Sequence, residues 1–183
     1  MSEIKYIFKI TVAGEARVGK TSLIKKFTQS NFTKDYIKTI GAQLSIYDDV
    51  INGDEIKLQF WDIAGQDTFH FLRPSFFNNS KAAIIVYSLE ENRLGEESFK
   101  RISDWYNEIM RYCGEIPIIL FANKVDLVDE ESIDDSEILA IVNKFNLLGY
   151  YMTSAKTGKR VIKAFSAIIK ELHKKYTALP AEL

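Results

Sequence analysis

Phe8-Lys9-Ile10-Thr11-Val12-Ala13-Gly14-Glu15-Ala16-Arg17-Val18-Gly19-Lys20-Thr21 is an apolar strand running straight into a glycine-bounded loop. The loop matches G-x-x-x-x-G-K-[ST] at every fixed position, with a strand before it and a helical stretch after it, as the motif requires. The residue types follow from the chemistry. Consecutive backbone N–H groups wrap the β- and γ-phosphates of a nucleotide, and glycine permits the close approach. The next helix turns its N-terminal donors toward the anion. Lys20 neutralises phosphate charge, and the Thr21 hydroxyl is a ligand for Mg²⁺. Alone, the loop says nucleoside triphosphate and leaves base and reaction open.

Outward from this loop, short apolar runs alternate with longer amphipathic stretches. Phe8–Ala13, Ala82–Tyr87, Ile116–Ala122 and a weaker run at Gly149–Met152 are short, rich in Ile, Val and aromatics, and bounded by polar residues. Strands buried on both faces of a parallel sheet read this way. Between them, Phe99, Ile102, Trp105 or Tyr106, and Ile109 fall three or four apart. Ile138, Leu139, Val142 and Phe145 do the same, as do Val161, Ile162, Phe165, Ile168, Ile169 and Leu172. Strand alternating with helix implies right-handed βαβ units and a sheet covered by helices. One segment departs from the pattern: Gln43–Ile51 and Asp54–Trp61 flank Asn52-Gly53, a strong hairpin signal. Ile56, Leu58 and Phe60 take one face of the second strand, and Lys57, Gln59 and Trp61 the other. An antiparallel pair at one edge of a mostly parallel sheet is expected, with Trp61 facing away from that core.

Composition narrows the class further. The 183 residues suit a single domain over 1–183, with 46% apolar and 27% charged residues. Lys+Arg is 24 and Asp+Glu 25, a net charge of −1, so no basic excess speaks for nucleic acid. One cysteine, Cys113, forms no internal disulfide, and a reducing, cytoplasmic setting is expected. No run approaches the roughly 18–20 apolar residues that span a bilayer. Ser2 argues against myristoylation, and the C-terminal residues carry no cysteine for a prenyl group, so no lipid anchor is expected. Cys113 reads as a helix-end packing residue, and His70 and His173 as surface positions.

Two further signals lie at strand ends, where ligands gather in such sheets. Trp61-Asp62-Ile63-Ala64-Gly65-Gln66 closes the hairpin. There Asp62 can reach Mg²⁺ through water, the Gly65 N–H can approach the γ-phosphate, and Gln66 can orient an attacking water. Thr39, in the connection between first helix and hairpin, can complete the metal shell while its N–H touches the γ-phosphate. Asn123-Lys124-Val125-Asp126 follows the strand ending at Ala122. The Asp126 carboxylate accepts from N1–H and the exocyclic amine of guanine, whereas adenine would leave it unpaired. The Lys124 stem lies along the base face, and Asn123 ties loops together. Ser154-Ala155-Lys156 supplies a backbone N–H to the guanine carbonyl, and Phe32 packs the base edge.

From Lys5 to about Lys174 the chain resembles the Ras superfamily of small GTPases, on Gly14–Thr21, Thr39, Asp62–Gln66, Asn123–Asp126 and Ser154–Lys156 in order. Thr39-Ile40-Gly41 and Trp61 before Asp62 are similar to the Rab branch. The resemblance implies a P-loop NTPase (Ras-like) α/β fold: a six-stranded, mostly parallel sheet with one antiparallel edge strand, flanked by five helices. It implies a monomeric switch in trafficking or related signalling that hydrolyses GTP to GDP with Mg²⁺. Catalysis would fall to Gln66, Lys20, Gly65 and Thr39, and metal binding to Thr21, Thr39 and, through water, Asp62. Nucleotide contacts would come from Glu15, Ala16, Arg17, Val18, Gly19, Lys20, Thr21, Ser22, Phe32, Tyr36, Thr39, Gly65, Asn123, Lys124, Asp126, Ser154, Ala155 and Lys156. Exchange factors, GTPase-activating proteins and effectors would bind through 36–46 and 61–78.

The departures from that pattern are Ala16 and Arg17 in place of smaller residues, Ile63 for Thr, and Asp67 for Glu. Ser88 stands where Asp is common, and Asn92–Gly95 reads as a short insertion. Ala16 and Arg17 leave a second reading open: a nucleotide-holding interaction module with little or no hydrolysis. An ATP-dependent kinase shares the phosphate loop but is disfavoured by Asn123–Asp126.

Overall fold

A computed structural model describes residues 5–28, 32–39, 42–65 and 71–178, with backbone alone for 32–39. The elements are β1 (Tyr6–Ala13), α1 (Lys20–Thr28), β2 (Phe32–Thr39), β3 (Ala42–Ile51), β4 (Asp54–Ile63), α2 (Arg73–Phe77), β5 (Ala82–Ser88), α3 (Arg93–Lys100), α4 (Ile102–Cys113), β6 (Ile118–Asn123), α5 (Ser136–Lys144), β7 (Tyr150–Thr153) and α6 (Val161–Thr177). The sheet order is β2-β3-β4-β1-β5-β6-β7. From β4 to β7 every pairing is parallel, and β3 runs antiparallel to β4. Those six strands are the expected mixed sheet.

β2 adds a seventh strand outside the hairpin, antiparallel to β3, with Thr39 opposite Ala42. Thr39 was expected in a connecting loop. The Phe-Thr-Lys-Asp-Tyr-Ile-Lys-Thr run of β2 is rich in β-branched and aromatic residues that suit a strand. The hairpin forms at Asn52-Gly53, both with positive φ (51° and 88°), and Ile51 pairs with Asp54 across it.

The central strands β5 and β6 are buried along their whole length, which is why they read as continuous apolar runs. Two cores follow from strand alternation. Phe8, Ile10, Phe60, Ile84 and Phe121 meet α1 and α6 through Leu23, Phe27, Phe165 and Ile168. Ile63, Ile85, Tyr87 and Leu120 meet the other helices through Phe77, Trp105 and Ile109. The amphipathic stretch from Phe99 to Ile109 is not one helix: it breaks at Arg101, dividing α3 from α4, so among the described residues the helical bodies number five, one of them in two segments. Leu139 and Ile162, which share helical periods with core residues, are instead 42% and 58% exposed.

His173 is the clearest departure from expectation. It is buried in α6, with Nε2 2.8 Å from Asp54 Oδ2 beside the hairpin turn. Lys5 donates to the other oxygen of Asp54 at 2.7 Å. Cys113 behaves as expected, closing α4 and donating to the Phe77 carbonyl at 3.2 Å. His70 lies outside the described residues.

Candidate nucleotide site

The site lies at the carboxyl ends of β1, β4, β6 and β7, where four strands deliver their loops to one edge. After β1, the chain turns through Gly14–Gly19 and enters α1 at Lys20. Lys20 is buried, and its ammonium donates to the carbonyls of Gly14 and Glu15, both at 2.9 Å. The cation therefore sits inside the turn of the loop. Burial pulls its pKa down, while the carboxylates of Asp62 and Glu15 push it back up.

β4 brings Asp62 to the same place, and Thr21 Oγ1 donates to Asp62 Oδ2. Burial raises the Asp62 carboxyl, opposed by Lys20 and by the Thr21 hydrogen bond. A hydroxyl and a carboxylate side by side are hard oxygen donors of the kind Mg²⁺ takes. Among the described residues no group of three or more His, Cys, Asp or Glu could hold a metal. Among the described side chains, these two would hold an ion here, together with phosphate oxygens.

Gly65 lies flat against the phosphate loop. A Cβ there would stand 2.3 Å from the Ala16 nitrogen and 2.5 Å from the Glu15 carbonyl carbon. Only glycine allows the hairpin exit to approach this closely.

The third corner is built by hydrogen bonds around Asn123. Its Nδ2 donates to the Val18 carbonyl at 2.8 Å, and its Oδ1 accepts from the Ala155 N–H at 3.2 Å and the Thr153 hydroxyl at 3.3 Å. One side chain thus clamps the phosphate loop to both base-side loops. Ser154, fully buried, donates to Asp126 Oδ1 at 2.5 Å and accepts from the Thr157 N–H at 3.0 Å. The Asp126 carboxylate is fixed from behind and left on the surface of a cleft.

That cleft has a volume of about 420 Å³. Arg17, Gly19, Ser22, Asn123, Lys124, Asp126, Ala155 and Lys156, all expected at the nucleotide, line it together. Leu127, 55% exposed at its rim, is a lining residue that motif reading passes over. Its signal is a large apolar side chain next to the carboxylate in a turn. The side chains of Phe32, Tyr36 and Thr39, and the whole of Gln66, lie outside the described residues.

Two partners of the phosphate loop come from far along the chain. Glu15 accepts from Trp105 Nε1 at 3.0 Å and from Arg101 Nε at 3.2 Å. Arg101 stands at the break between α3 and α4, so the loop is tied to that break. Trp105 in turn lies under the Arg73 guanidinium of α2, 4.3 Å from its ring centre, while Arg73 pairs with Glu108 at 3.1 Å. Nothing in motif spacing points to these contacts.

The fold agrees with comparison to known proteins. The Ras family profile matches residues 9–174. The chain is 36% identical over 185 residues to "Ras-related protein Rab-1" of Theileria annulata, covering 99% of this chain and 81% of that protein. It is 32% identical over 180 residues to "Ras-related protein RIC1" of Oryza sativa subsp. japonica, covering 98% of this chain and 87% of that protein.

Proposed function

For a chain that belongs to the Ras family, in its Rab-like branch, we propose a guanine-nucleotide switch that binds GTP and GDP with Mg²⁺ and slowly hydrolyses GTP. The observation that carries this reading is convergence. The Lys20 ammonium and the Thr21–Asp62 oxygen pair sit at the phosphate loop, which Asn123 clamps through the Val18 carbonyl to the cleft lined by the Ser154-braced Asp126 carboxylate.

Each group then has a task. The loop amides and Lys20 hold the β- and γ-phosphates and offset charge that spreads as the terminal phosphoryl leaves. Thr21, Asp62 through water, and Thr39 would hold Mg²⁺, which when bound neutralises the phosphate oxygens. Gln66 orients the attacking water, and the Gly65 N–H meets the γ-phosphate. Asp126 accepts two hydrogen bonds from guanine, Lys124 lies along the base, and the Ala155 segment meets the guanine carbonyl. Thr39 and Gly65 contact only a triphosphate, so their segments would order with GTP and release after hydrolysis.

Residues 36–46 and 61–78 are accordingly the surfaces for exchange factors, GTPase-activating proteins and effectors. Vesicle trafficking or related signalling from the cytoplasm is the role this branch suggests. Among the described residues no helix is long and apolar enough to cross a membrane. Chromatography of the nucleotide released from purified protein tests the base, with GDP or GTP expected and ATP fatal to the reading.

A second reading has an observation of its own. Arg17 holds a left-handed backbone, φ 67°, in the phosphate loop and lines the nucleotide cleft. A long cation there adds attraction for the phosphates of a bound nucleotide. Single-turnover release of phosphate from GTP-loaded protein separates a slow GTPase from a module that only holds its nucleotide.

A further inference from the structure

Ser88 and the insertion Asn92–Gly95 are departures from the family pattern that the nucleotide reading leaves without a task. They meet at Glu90, in the turn between β5 and α3. Glu90 Oε2 lies 2.5 Å from the Lys124 ammonium and accepts from the Ser88 hydroxyl at 2.9 Å. Ser88, itself buried, accepts the Glu90 N–H through the same hydroxyl at 3.3 Å.

The backbone around this carboxylate is equally fixed. Leu89 N–H donates to the Asn123 carbonyl at 2.9 Å, joining the turn to the base-side loop. Asn92 caps α3 by accepting from Gly95 N–H at 3.1 Å. Gly95 packs so closely under the turn that a Cβ would stand 1.9 Å from the Glu90 carbonyl oxygen. Both charged side chains are largely covered, at 23% exposure for Lys124 and 21% for Glu90.

We propose that Glu90 is a positioning residue for the nucleotide base: by holding the Lys124 ammonium, it sets the lysine stem as a fixed wall of the base cleft. The proposal rests on the guanine-nucleotide reading of that cleft and adds to it a residue outside the shared motifs. The physical reason is pre-organisation. Lysine has a long, flexible stem whose ordering opposes binding, and an ion pair formed in the folded protein moves that cost from binding to folding. Lys124 also holds a left-handed backbone, φ 69°, which aims its side chain from the start of a short turn. The stem touches the face of a base and not its edge. Glu90 therefore tightens purine nucleotides generally, and guanine choice stays with Asp126.

The test is dissociation of fluorescent GDP from Glu90→Gln, which keeps the shape and removes the charge. Release is expected to quicken about tenfold, the scale of one charge-assisted hydrogen bond. The preference for GDP over inosine 5′-diphosphate, which lacks the amine read by Asp126, is expected to stay unchanged. In a Lys124→Met background the same change is expected to add nothing, since coupled residues are not additive.

Release within twofold of the unmodified protein overturns the proposal. So does an equal acceleration in the Lys124→Met background, or a collapse of the GDP-over-inosine preference, which would make Glu90 a general support of the loop. If the unmodified protein holds ADP as well as GDP, the guanine reading falls with the proposal, and that result precedes any variant.

Discussion

In the proposed base site, Asp126 would read guanine through a carboxylate held at one oxygen. Ser154 donates to Oδ1 from a fully buried position, so the group cannot turn away when the base is wrong. Asp126→Asn keeps the shape but turns half of the acceptor pair into a donor facing the donors of guanine. GTP affinity is expected to fall by about 3 kcal/mol, with xanthosine triphosphate gaining because its ring carbonyl accepts from the new amide. Competition binding with the two nucleotides measures both changes, and equal GTP affinity in the variant would remove Asp126 from the base site. Gln66 pairs an amide donor with a carbonyl acceptor, a combination suited to orienting a water. Gln66→Leu fills a similar volume without a donor or acceptor for water, so GTP binding is expected to persist while single-turnover hydrolysis slows at least tenfold. Unchanged hydrolysis would mean that the Ala16–Arg17 loop works without that glutamine.

The hairpin and the last helix are joined by one carboxylate at the scale of elements. Asp54, first residue of β4, takes Lys5 from the strand start on one oxygen and His173 of α6 on the other. The Lys5 hydrogen bond, and after it that of His173, holds the Asp54 carboxyl below its usual range against a smaller opposing effect of burial. A carboxylate depressed in the folded state stabilises above its ordinary pKa, and that stability is lost as pH falls through the depressed value. Asp54→Asn is therefore expected to lower the melting temperature at pH 7, and the gap to the unmodified protein to close below about pH 4. Calorimetric scans of both proteins at pH 7, 5 and 3 check this. A gap that stays constant would assign the effect to packing, beside the edge-on contact of His173 with Tyr6 at 5.9 Å. Polar ties of this kind join residues 119 apart, and no local spacing records them.

For the molecule as a whole, legibility followed the chemistry being read. The phosphate loop, Asp62, Asn123 and Asp126 were readable because phosphate, metal and guanine each demand particular residue types at strand ends. β5 and β6 were readable because two buried faces leave no room for polar residues. Glu90, Trp105 and His173 were not, because their partners are fixed by tertiary packing. Trp61 stands between these cases. Its alternation with Phe60 holds, and it lies opposite Leu44 on the other face of the hairpin. It is half-buried there, 5.9 Å from Phe76 of α2, with the Lys9 ammonium 4.5 Å from its ring centre. The ring thus serves as a floor for α2, and its buried indole N–H has no acceptor among the described residues. Trp is enriched where partners anchor, and Trp61 lies between the two segments expected to follow nucleotide state. It does not line the nucleotide cleft. Trp61→Ala is therefore expected to cost about 1–3 kcal/mol of stability, less than a fully buried tryptophan, to leave GTP affinity within threefold, and to abolish capture of GTP-form partners. Trp61→Phe, which keeps an aromatic floor under α2, is expected to restore the stability and only part of the capture, since the smaller ring leaves a partner less apolar surface to cover. Melting temperature, GTP affinity and pull-down on a GTP analogue are read on both variants. Loss of GTP binding in Trp61→Ala, or full capture by Trp61→Ala once it is folded, would show that Trp61 is core and no partner surface.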